Sequence, residues 1–313
     1  MRRIDNNINL NINLNFEMKK FLTRTLSGAV YVAIIVATVY AGWIVKRFGV
    51  EFYRSEMIGS IIASAVFFAI GLIGTYEIIN NLAKKGVECN RFMAYLTAIL
   101  TFILVHLSYT SYYYFELTSS FWTLRFVCIL PALWLSVFVV QLWRDDEHPF
   151  ATAGYTLLPS LWLMLPLSIM CNIQLSQCSF LMMVFIFIWV NDSFAYLTGM
   201  LLGKHKMWER HSPNKTWEGT IGGALFCVAA ALFIAPLFNH GFQSYSRASW
   251  IAVGLICSVL GTLGDLVESM FKRYCGVKDS GNIMPGHGGV LDRFDSLLIA
   301  VPFVETYLVI LYS

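Results

Sequence analysis

Apolar runs long enough to cross a bilayer recur along almost the whole chain, and no other feature restricts its fold as strongly. A crossing takes about 20 mostly apolar residues. About nine stretches meet that length, at roughly 26–45, 57–79, 92–109, 121–142, 155–172, 179–202, 217–238, 249–271 and 296–312. Inside lipid, backbone N–H and C=O groups must be satisfied within the protein, so such runs fold as helices. The expected fold class is all-α, a polytopic integral membrane helical bundle with about nine transmembrane helices. Composition excludes a soluble protein: 57% of the 313 residues are hydrophobic and only 13% are charged, against about a quarter charged in soluble domains.

Lysine and arginine placement sets the expected orientation, because loops that keep them stay on the cytosolic side. Lys19, Lys20 and Arg24 precede the first span, Lys84, Lys85 and Arg91 separate the second and third, and Arg144 follows the fourth. Lys204, Lys206, Arg210 and Lys215 lie between the sixth and seventh spans, and Lys272, Arg273, Lys278 and Arg293 between the eighth and ninth. Loops 110–120 and 172–178 carry neither residue. The pattern places the N-terminus in the cytosol and the C-terminus outside, with Lys46, Arg47 and Arg54 in conflict with it. Tyr112, Tyr113, Tyr114 and Trp122 read as an aromatic belt on the outer face.

Three regions are expected. Residues 1–17, MRRIDNNINLNINLNFE, are Asn-rich and too polar and simple to build a core, which reads as a disordered tail. The natural start is expected at Met18, where a basic flank leads directly into a span. Residues 18–150 form the N-terminal transmembrane helices. Residues 151–313 form a catalytic transmembrane region with cytosolic loops at 203–216 and 272–292, too short to fold alone. The seven cysteines form no CxxC pair and read as small packing residues. Glu77 sits near the cytosolic end of the second span, where its carboxylate can reach the interface, with a role in the site as the alternative reading.

Polar chemistry is concentrated in the second half. Asp192 lies roughly 18 Å of helix before Lys204, and shares a face with Ala195, Gly199 and Gly203, small residues that permit close helix approach. Ser212-Pro213 reads as the opening of a helix, with Lys215 and Glu218 near its first turn and glycines 219, 222 and 223 letting an anion approach the backbone. Asp265, Glu268 and Lys272 fall on one helical face. Beyond Lys278-Asp279 the chain turns through PGHGG, and Asp292, Arg293 and Asp295 open the last span, with Asp292 and Asp295 on one face. His205 and His211 read as solvated loop residues.

Two carboxylate-bearing helix segments joined by a Lys- and Gly-rich loop suit a Mg²⁺ site that handles phosphates, since Mg²⁺ takes one or two carboxylates plus phosphate oxygens and water. The chemistry this implies is phosphoryl or nucleotidyl transfer. The N-termini of the seventh and ninth spans, near Lys215 and Asp292, face the same side, so a cytosolic polyphosphate would meet two helix N-termini. Neither GxxxxGK[ST] nor a GxGxxG after a strand is present. A secondary transporter, with Asp192 and Asp265 holding a coupling ion, is the non-enzymatic reading. It would place its polar residues near the midplane between repeats, whereas here they gather toward one end.

The residues Ser269-Met270-Phe271-Lys272-Arg273, Lys278-Asp279, Gly281, Pro285, His287-Gly288-Gly289 and Asp292-Arg293-Phe294-Asp295 resemble the signature of the phosphatidate cytidylyltransferases, or CDP-diacylglycerol synthases. NDSFAYLTG and SPNKTWEG upstream look like the same family. The resemblance covers roughly 185–300, and Met284 replaces the usual Ile, Leu or Phe. It implies a Mg²⁺-dependent reaction of CTP with phosphatidic acid, giving CDP-diacylglycerol and pyrophosphate by in-line attack of the lipid phosphate on the α-phosphorus of CTP. It implies further that Asp265 and Asp292 are metal ligands, with K⁺ beside the Mg²⁺, and that Asp192, Glu268, Asp279 and Asp295 are ligands or orienters.

Lys272, Arg273 and His287 are expected in the catalytic set, His287 through phosphate contact. Ser212, Lys215, Lys278, Arg293, Gly288 and Gly289 are expected to bind substrate. The expected setting is a lipid bilayer, the bacterial inner membrane, with the active site facing the cytosol, a homodimeric assembly and no nucleic-acid partner. A CTP-dependent polyprenol kinase is the competing enzymatic reading, and it would release CDP instead of pyrophosphate. A CDP-alcohol phosphotransferase is disfavoured because its DG…AR…G…D…D array is absent.

Overall fold

The computed structural model describes residues 22–115 apart from residue 24, 120–238, 245–283 and 288–312. The tail at 1–17, the basic residues before the first span, His287 and the side chains of the expected aromatic belt lie outside the described residues.

The chain folds as helices α1 (Thr25–Val39), α2 (Ala41–Arg47), α3 (Phe52–Lys84), α4 (Arg91–Phe115), α5 (Ser120–Gln141), α6 (Pro149–Leu158), α7 (Leu165–Leu202), α8 (Trp217–Phe233), α9 (Arg247–Cys275) and α10 (Leu291–Tyr312). A π-helical turn, Pro159–Met164, joins α6 to α7. Pro159 has no N–H to give the helical ladder, and the wider turn absorbs the gap. Among the described residues, five helical segments are long and apolar enough to cross a membrane, or six if the bent pair α1–α2 is one span.

All nine apolar stretches lie in helices, and three local features account for the lower count. α1 and α2 meet at a 73° bend, so the first span is broken after Val39. Lys46 stacks over Phe52 and Arg47 over Trp43, which gives two of the cations that conflicted with the charge pattern aromatic partners. The apolar helix Trp217–Phe233 is shorter than a full crossing, and α5, 22 residues long, is counted by its apolar character only from Cys128, because its earlier side chains lie outside the described residues. The run Pro149–Leu202 reads as one helical segment of 54 residues, but Gln177 has φ −155° and ψ 78°, and the chain reverses there.

Contacts with α9 establish the reversal. Tyr155 Oη lies 2.6 Å from Tyr274 Oη at the C-terminal end of α9, whereas Gln177 bonds Tyr245 just before its start. After Gln177 the chain runs alongside α9, with Phe180 stacked on Trp250 and Asn191 bonded to Ser258 and Thr262. Residues 149–176 and 178–202 are therefore two antiparallel limbs, as the separate runs at 155–172 and 179–202 predict.

Lipid offers apolar side chains nearly the same environment as a neighbouring helix, so close packing and interhelical hydrogen bonds hold such bundles together. The second limb of α7 and α8 meet along a seam of small residues. A Cβ at Gly219 would stand 2.7 Å from Ala195 O, and one at Gly223 would stand 2.6 Å from Asn191 Oδ1. This corrects the reading of glycines 219, 222 and 223 as an opening for an anion: glycines 219 and 223 pack on Ala195 and Asn191 of α7 and glycine 222 on Thr198, too closely for a Cβ. Buried Asn191 adds polar ties, accepting from Ser258 Oγ (2.6 Å) and donating to Thr262 Oγ1 (3.2 Å) on α9.

The loop after α7 forms a small antiparallel hairpin, β1 (Lys206–Trp208) with β2 (Ser212–Thr216). Ser212-Pro213 thus begins a strand, and α8 starts four residues later than Pro213. Thr216, with φ −126° and ψ 152°, is the cap: its hydroxyl accepts from Gly219 N. A Thr side chain at this position satisfies a free helix N–H, which a Ser four residues upstream cannot do.

Candidate active site

Three adjoining pieces build the site: the C-terminal half of α9, the first turn of α10, and the end of β2. α9 ends where Gly276 takes φ 71° and its neighbour Val277 donates back to Lys272 O, a left-handed cap that glycine adopts without strain. Upstream, Gly264 lets α10 pass closely, because a Cβ there would stand 2.6 Å from Asp295 O. That approach brings Asp265 and Glu268 of α9 against Asp295 of α10, their nearest carboxylate oxygens all within 4.8 Å of one another.

Two lysines reach this trio. Lys215, from β2, places Nζ 2.6 Å from Asp265 Oδ2 and donates to Thr262 O at 3.0 Å. Lys272 places Nζ 2.6 Å from Glu268 Oε2 and 2.7 Å from Asp292 Oδ1. The contact with Glu268 is one of charge without hydrogen-bond alignment, for neither Glu268 oxygen accepts a hydrogen bond although the side chain is 0% exposed. Asp295 Oδ1 accepts from Ser296 N, and Ser269 Oγ reaches Asp265 Oδ1 at 3.4 Å.

Charge decides what the trio can hold. Two carboxylates 4.8 Å apart repel by roughly 3.5 kcal/mol at an effective dielectric of about 20, and three such groups face only two lysines, one of them shared with Asp292. A buried carboxylate whose oxygens take no hydrogen bond is costly alone. A hard cation takes carboxylate oxygens and removes the repulsion, so the residues present fit a divalent ion.

Asp292 differs from the trio. Its Oδ1 pairs with Lys272, and its Oδ2 accepts from Gly289 N (2.7 Å), Ser280 Oγ (2.8 Å) and Ser280 N (2.9 Å). Gly288 has φ 83°, which brings the Gly289 amide onto this carboxylate. The glycines 288 and 289, expected to bind substrate, therefore press against Asp292 and against Glu77, and the Gly289 amide is already engaged.

Glu77 corrects a second expectation. Instead of reaching the interface it is 3% exposed, and it accepts from Val290 N (2.9 Å), Leu291 N (3.0 Å) and Ser280 Oγ (3.1 Å). Its carboxylate sits on the N-terminus of α10, where the helix dipole favours negative charge. Asn81, one turn further, donates to Ser280 O at 2.8 Å. The helix N-termini expected to meet a polyphosphate are partly occupied from within the protein: Gly289, Val290 and Leu291 amides donate to Asp292 and Glu77 at α10, and at α8 Trp217 N donates to His205 O and Gly219 N to Thr216 Oγ1.

The remaining expected residues lie around this centre. Asp192 is exposed and accepts from the Asn191 amide at 3.4 Å. Arg273, Lys278 and Asp279 are exposed, and Ser212 and Arg293 are half-buried, with Tyr31 Oη donating to Arg293 O. His205 is exposed, but its Nδ1 lies 2.5 Å from Glu218 Oε1, and Glu218 also accepts from the Lys204 and His205 amides. His211 is half-buried and stacks near Trp208.

Sequence reasoning missed Asn81 and Ser280 as parts of the site, and it ranked a site role for Glu77 below the interface. An acid inside an apolar run with an Asn one turn later on the same face was the available signal. Ser280 carried none.

The fold and this centre define a polytopic helical membrane protein that gathers carboxylates and lysines at one end of its bundle. The chain matches the Cytidylyltransferase family over residues 22–311, and it belongs to that family. It is 50% identical over 132 residues to the phosphatidate cytidylyltransferase of Staphylococcus aureus (strain COL), a match that covers 42% of this chain and 49% of the relative. Over the same shares it is 47% identical to that of Staphylococcus saprophyticus and 45% identical to that of Staphylococcus epidermidis. The match spans about half the length of these curated relatives.

Proposed function

We propose that this protein is a phosphatidate cytidylyltransferase, joining CTP to phosphatidic acid to give CDP-diacylglycerol and pyrophosphate. The observation that carries the reading is the acidic trio Asp265, Glu268 and Asp295 beside Lys215 and Lys272, assembled from the residues that resemble the family signature. The names of the curated relatives support the same activity.

In this reading Asp265, Glu268 and Asp295 hold Mg²⁺, which when bound neutralises phosphate charge as it develops. Lys215 and Lys272 are fixed beside the trio and bring positive charge to the phosphates without reorganising. Asp292 orients Lys272 through Oδ1 while Oδ2 anchors the backbone at Ser280 and Gly289. Arg273, Lys278 and Arg293 contact phosphates, Ser212 lines the entrance from β2, and His287 contacts pyrophosphate. No strong base is required, because the lipid phosphate is already anionic near neutral pH. Asp192 orients the lipid end of the site. K⁺ as a second ion beside the Mg²⁺, and a homodimer, belong to the proposal on the resemblance alone.

The protein is placed in a bacterial inner membrane, with residues 151–313 as the catalytic region and the site facing the cytosol, where CTP is found. Lys204, Lys206, Lys272 and Lys278 in the loops at the site end support that orientation.

The test is release of pyrophosphate by purified protein in detergent with CTP, phosphatidic acid and Mg²⁺. Release that requires all three and is lost in folded Asp265→Ala protein is the expected result. Release of CDP instead would replace nucleotidyl transfer with a kinase reaction, and no consumption of CTP by well-folded protein would overturn the reading.

A further inference from the structure

We infer that Glu77, on a helix far from the signature in sequence, is a positioning residue for the reaction. It acts as a clamp that fixes the start of α10, and through it Asp292 and Asp295, against α9. The inference rests on the proposed cytidylyltransferase reading for its activity readout, but its structural part stands apart from that reading.

Backbone donors reach both oxygens of Glu77. Oε1 accepts from Val290 N, and Oε2 accepts from Leu291 N and Ser280 Oγ. Backbone amides thus reach both oxygens of the carboxylate, and the N-terminus of α10 favours negative charge at this place. The backbone is shaped to admit the group: a Cβ at Gly289 would stand 2.6 Å from Glu77 Oε1 and Oε2, and one at Gly281 would stand 2.8 Å from Cδ.

The same helix face provides a second grip. Asn81 Nδ2 donates to Ser280 O, and Lys84 Nζ donates to Asn81 Oδ1 at 3.2 Å, which sets the amide orientation. α3 thereby holds Ser280 before the turn and Val290 and Leu291 after it.

These anchored residues lead directly to the site. Ser280 and Gly289 are donors to Asp292 Oδ2, Asp292 Oδ1 holds Lys272, and Asp295 follows one turn along α10 into the acidic trio. Glu77 touches none of the trio. Its effect is on where two carboxylates and one lysine stand, and displacement of such groups by about 1 Å costs on the order of a hundredfold in rate. A side chain serving only to hold the bundle together would change the amount of folded protein and leave turnover per folded molecule alone.

Glu77→Gln separates the two roles, because the amide keeps the shape but turns an N–H₂ toward backbone or hydroxyl donors. For folded Glu77→Gln protein, kcat for pyrophosphate release should fall about tenfold to a hundredfold. KM for CTP should stay within about threefold, since Glu77 lies off the substrate-contacting groups. Amide hydrogen exchange at Val290 and Leu291 should be faster than in wild type. Wild-type kcat in folded Glu77→Gln protein would overturn the inference, as would a lower folded yield with unchanged turnover per folded molecule.

Should Glu77→Gln fail to fold, Asn81→Ala weakens the same grip and is read by the same split, with unchanged kcat again overturning the inference. If the wild-type protein itself releases no pyrophosphate, the functional reading fails separately. The clamp is then judged by exchange alone, where unchanged protection of Val290 and Leu291 in the variant overturns it.

Discussion

Two sets of carboxylates face each other across Lys272, and they differ in what surrounds them. Glu77 and Asp292 are saturated: backbone amides donate to both, the Ser280 hydroxyl lies between them, and Lys272 takes the remaining oxygen of Asp292. Asp265, Glu268 and Asp295 have two lysines and few hydrogen bonds among them, and Glu268 accepts none. Residue type is the same in both sets, so type alone does not separate structural acids from acids left open to a ligand. The supply of donors does, because a carboxylate already holding several charge-assisted bonds is stabilised without an ion.

The largest effect expected from this division is at the trio. Asp265→Asn, in folded protein, should reduce pyrophosphate release by about 10³-fold, the equivalent of several kcal/mol of lost charge stabilisation. Mg²⁺ should raise the melting temperature of wild type and not of this variant, because an ion that binds only the folded state stabilises it by mass action. Asp292→Asn should behave in the opposite sense, melting lower while keeping its Mg²⁺ response. If Asp292→Asn lost that response as completely as Asp265→Asn, the two sets would not be distinct.

Lys272 is the link between the sets, and its removal sharpens the contrast. Lys272→Met keeps the aliphatic length but leaves buried Glu268 and Asp292 without their cation. Breaking such a pair from one side costs about 3 kcal/mol or more. The loss should appear as a lower melting temperature in detergent, and Mg²⁺ should recover part of it through Glu268. Equal melting of variant and wild type without Mg²⁺ would show that the lysine is not what compensates these acids.

The helices were readable in the sequence because lipid forces each apolar run to close its own hydrogen bonds. Even the reversal at Gln177 followed from polar residues between two runs. The grouping of Asp265 with Glu268 on one face followed from helical spacing, whereas the period of the last span put Asp292 and Asp295 on one face alike and did not say which of them meets that pair. What could not be read was the supply of donors. Nothing in GTYEIINN says that its acid lies under the first turn of a helix more than 200 residues away. Glycines 281, 288 and 289 look like a flexible phosphate loop until the carboxylates they accommodate are located. The strand at Ser212–Thr216 was hidden for a related reason: Ser-Pro starts helices and edge strands alike, and pairing with Lys206–Trp208 decided between them.

Gly289 tests the packing of the saturated set. A Cβ there meets the Ser280 hydroxyl and both Glu77 oxygens, none of which can retreat without giving up a hydrogen bond. Gly289→Ala should destabilise the protein by about 2 kcal/mol, seen as a lower melting temperature, and should speed exchange at Val290. The equivalent change at exposed Gly86, where nothing lies within 4 Å but φ is 77°, reports backbone strain alone, about 1 kcal/mol. A Gly289→Ala loss no larger than that of Gly86→Ala would mean that the neck around Glu77 yields easily.

The smallest effect is expected at Ser280, and its size is informative because the hydroxyl stands between the two saturated acids. Ser280 Oγ lies 3.1 Å from Glu77 Oε2 and 2.8 Å from Asp292 Oδ2, yet a hydroxyl carries one proton and donates to one of them at a time. The other carboxylate must be satisfied without it. Asp292 Oδ2 retains the amides of Ser280 and Gly289, and Glu77 retains those of Val290 and Leu291. Ser280→Ala therefore removes one charge-assisted bond out of many and should lower stability by about 1 kcal/mol, with kcat and the Mg²⁺ response of melting close to wild type. If the loss instead matched that of Lys272→Met, the two carboxylates would depend on the shared proton, and Glu77 and Asp292 would have to be treated as one coupled pair rather than as two acids saturated by the backbone.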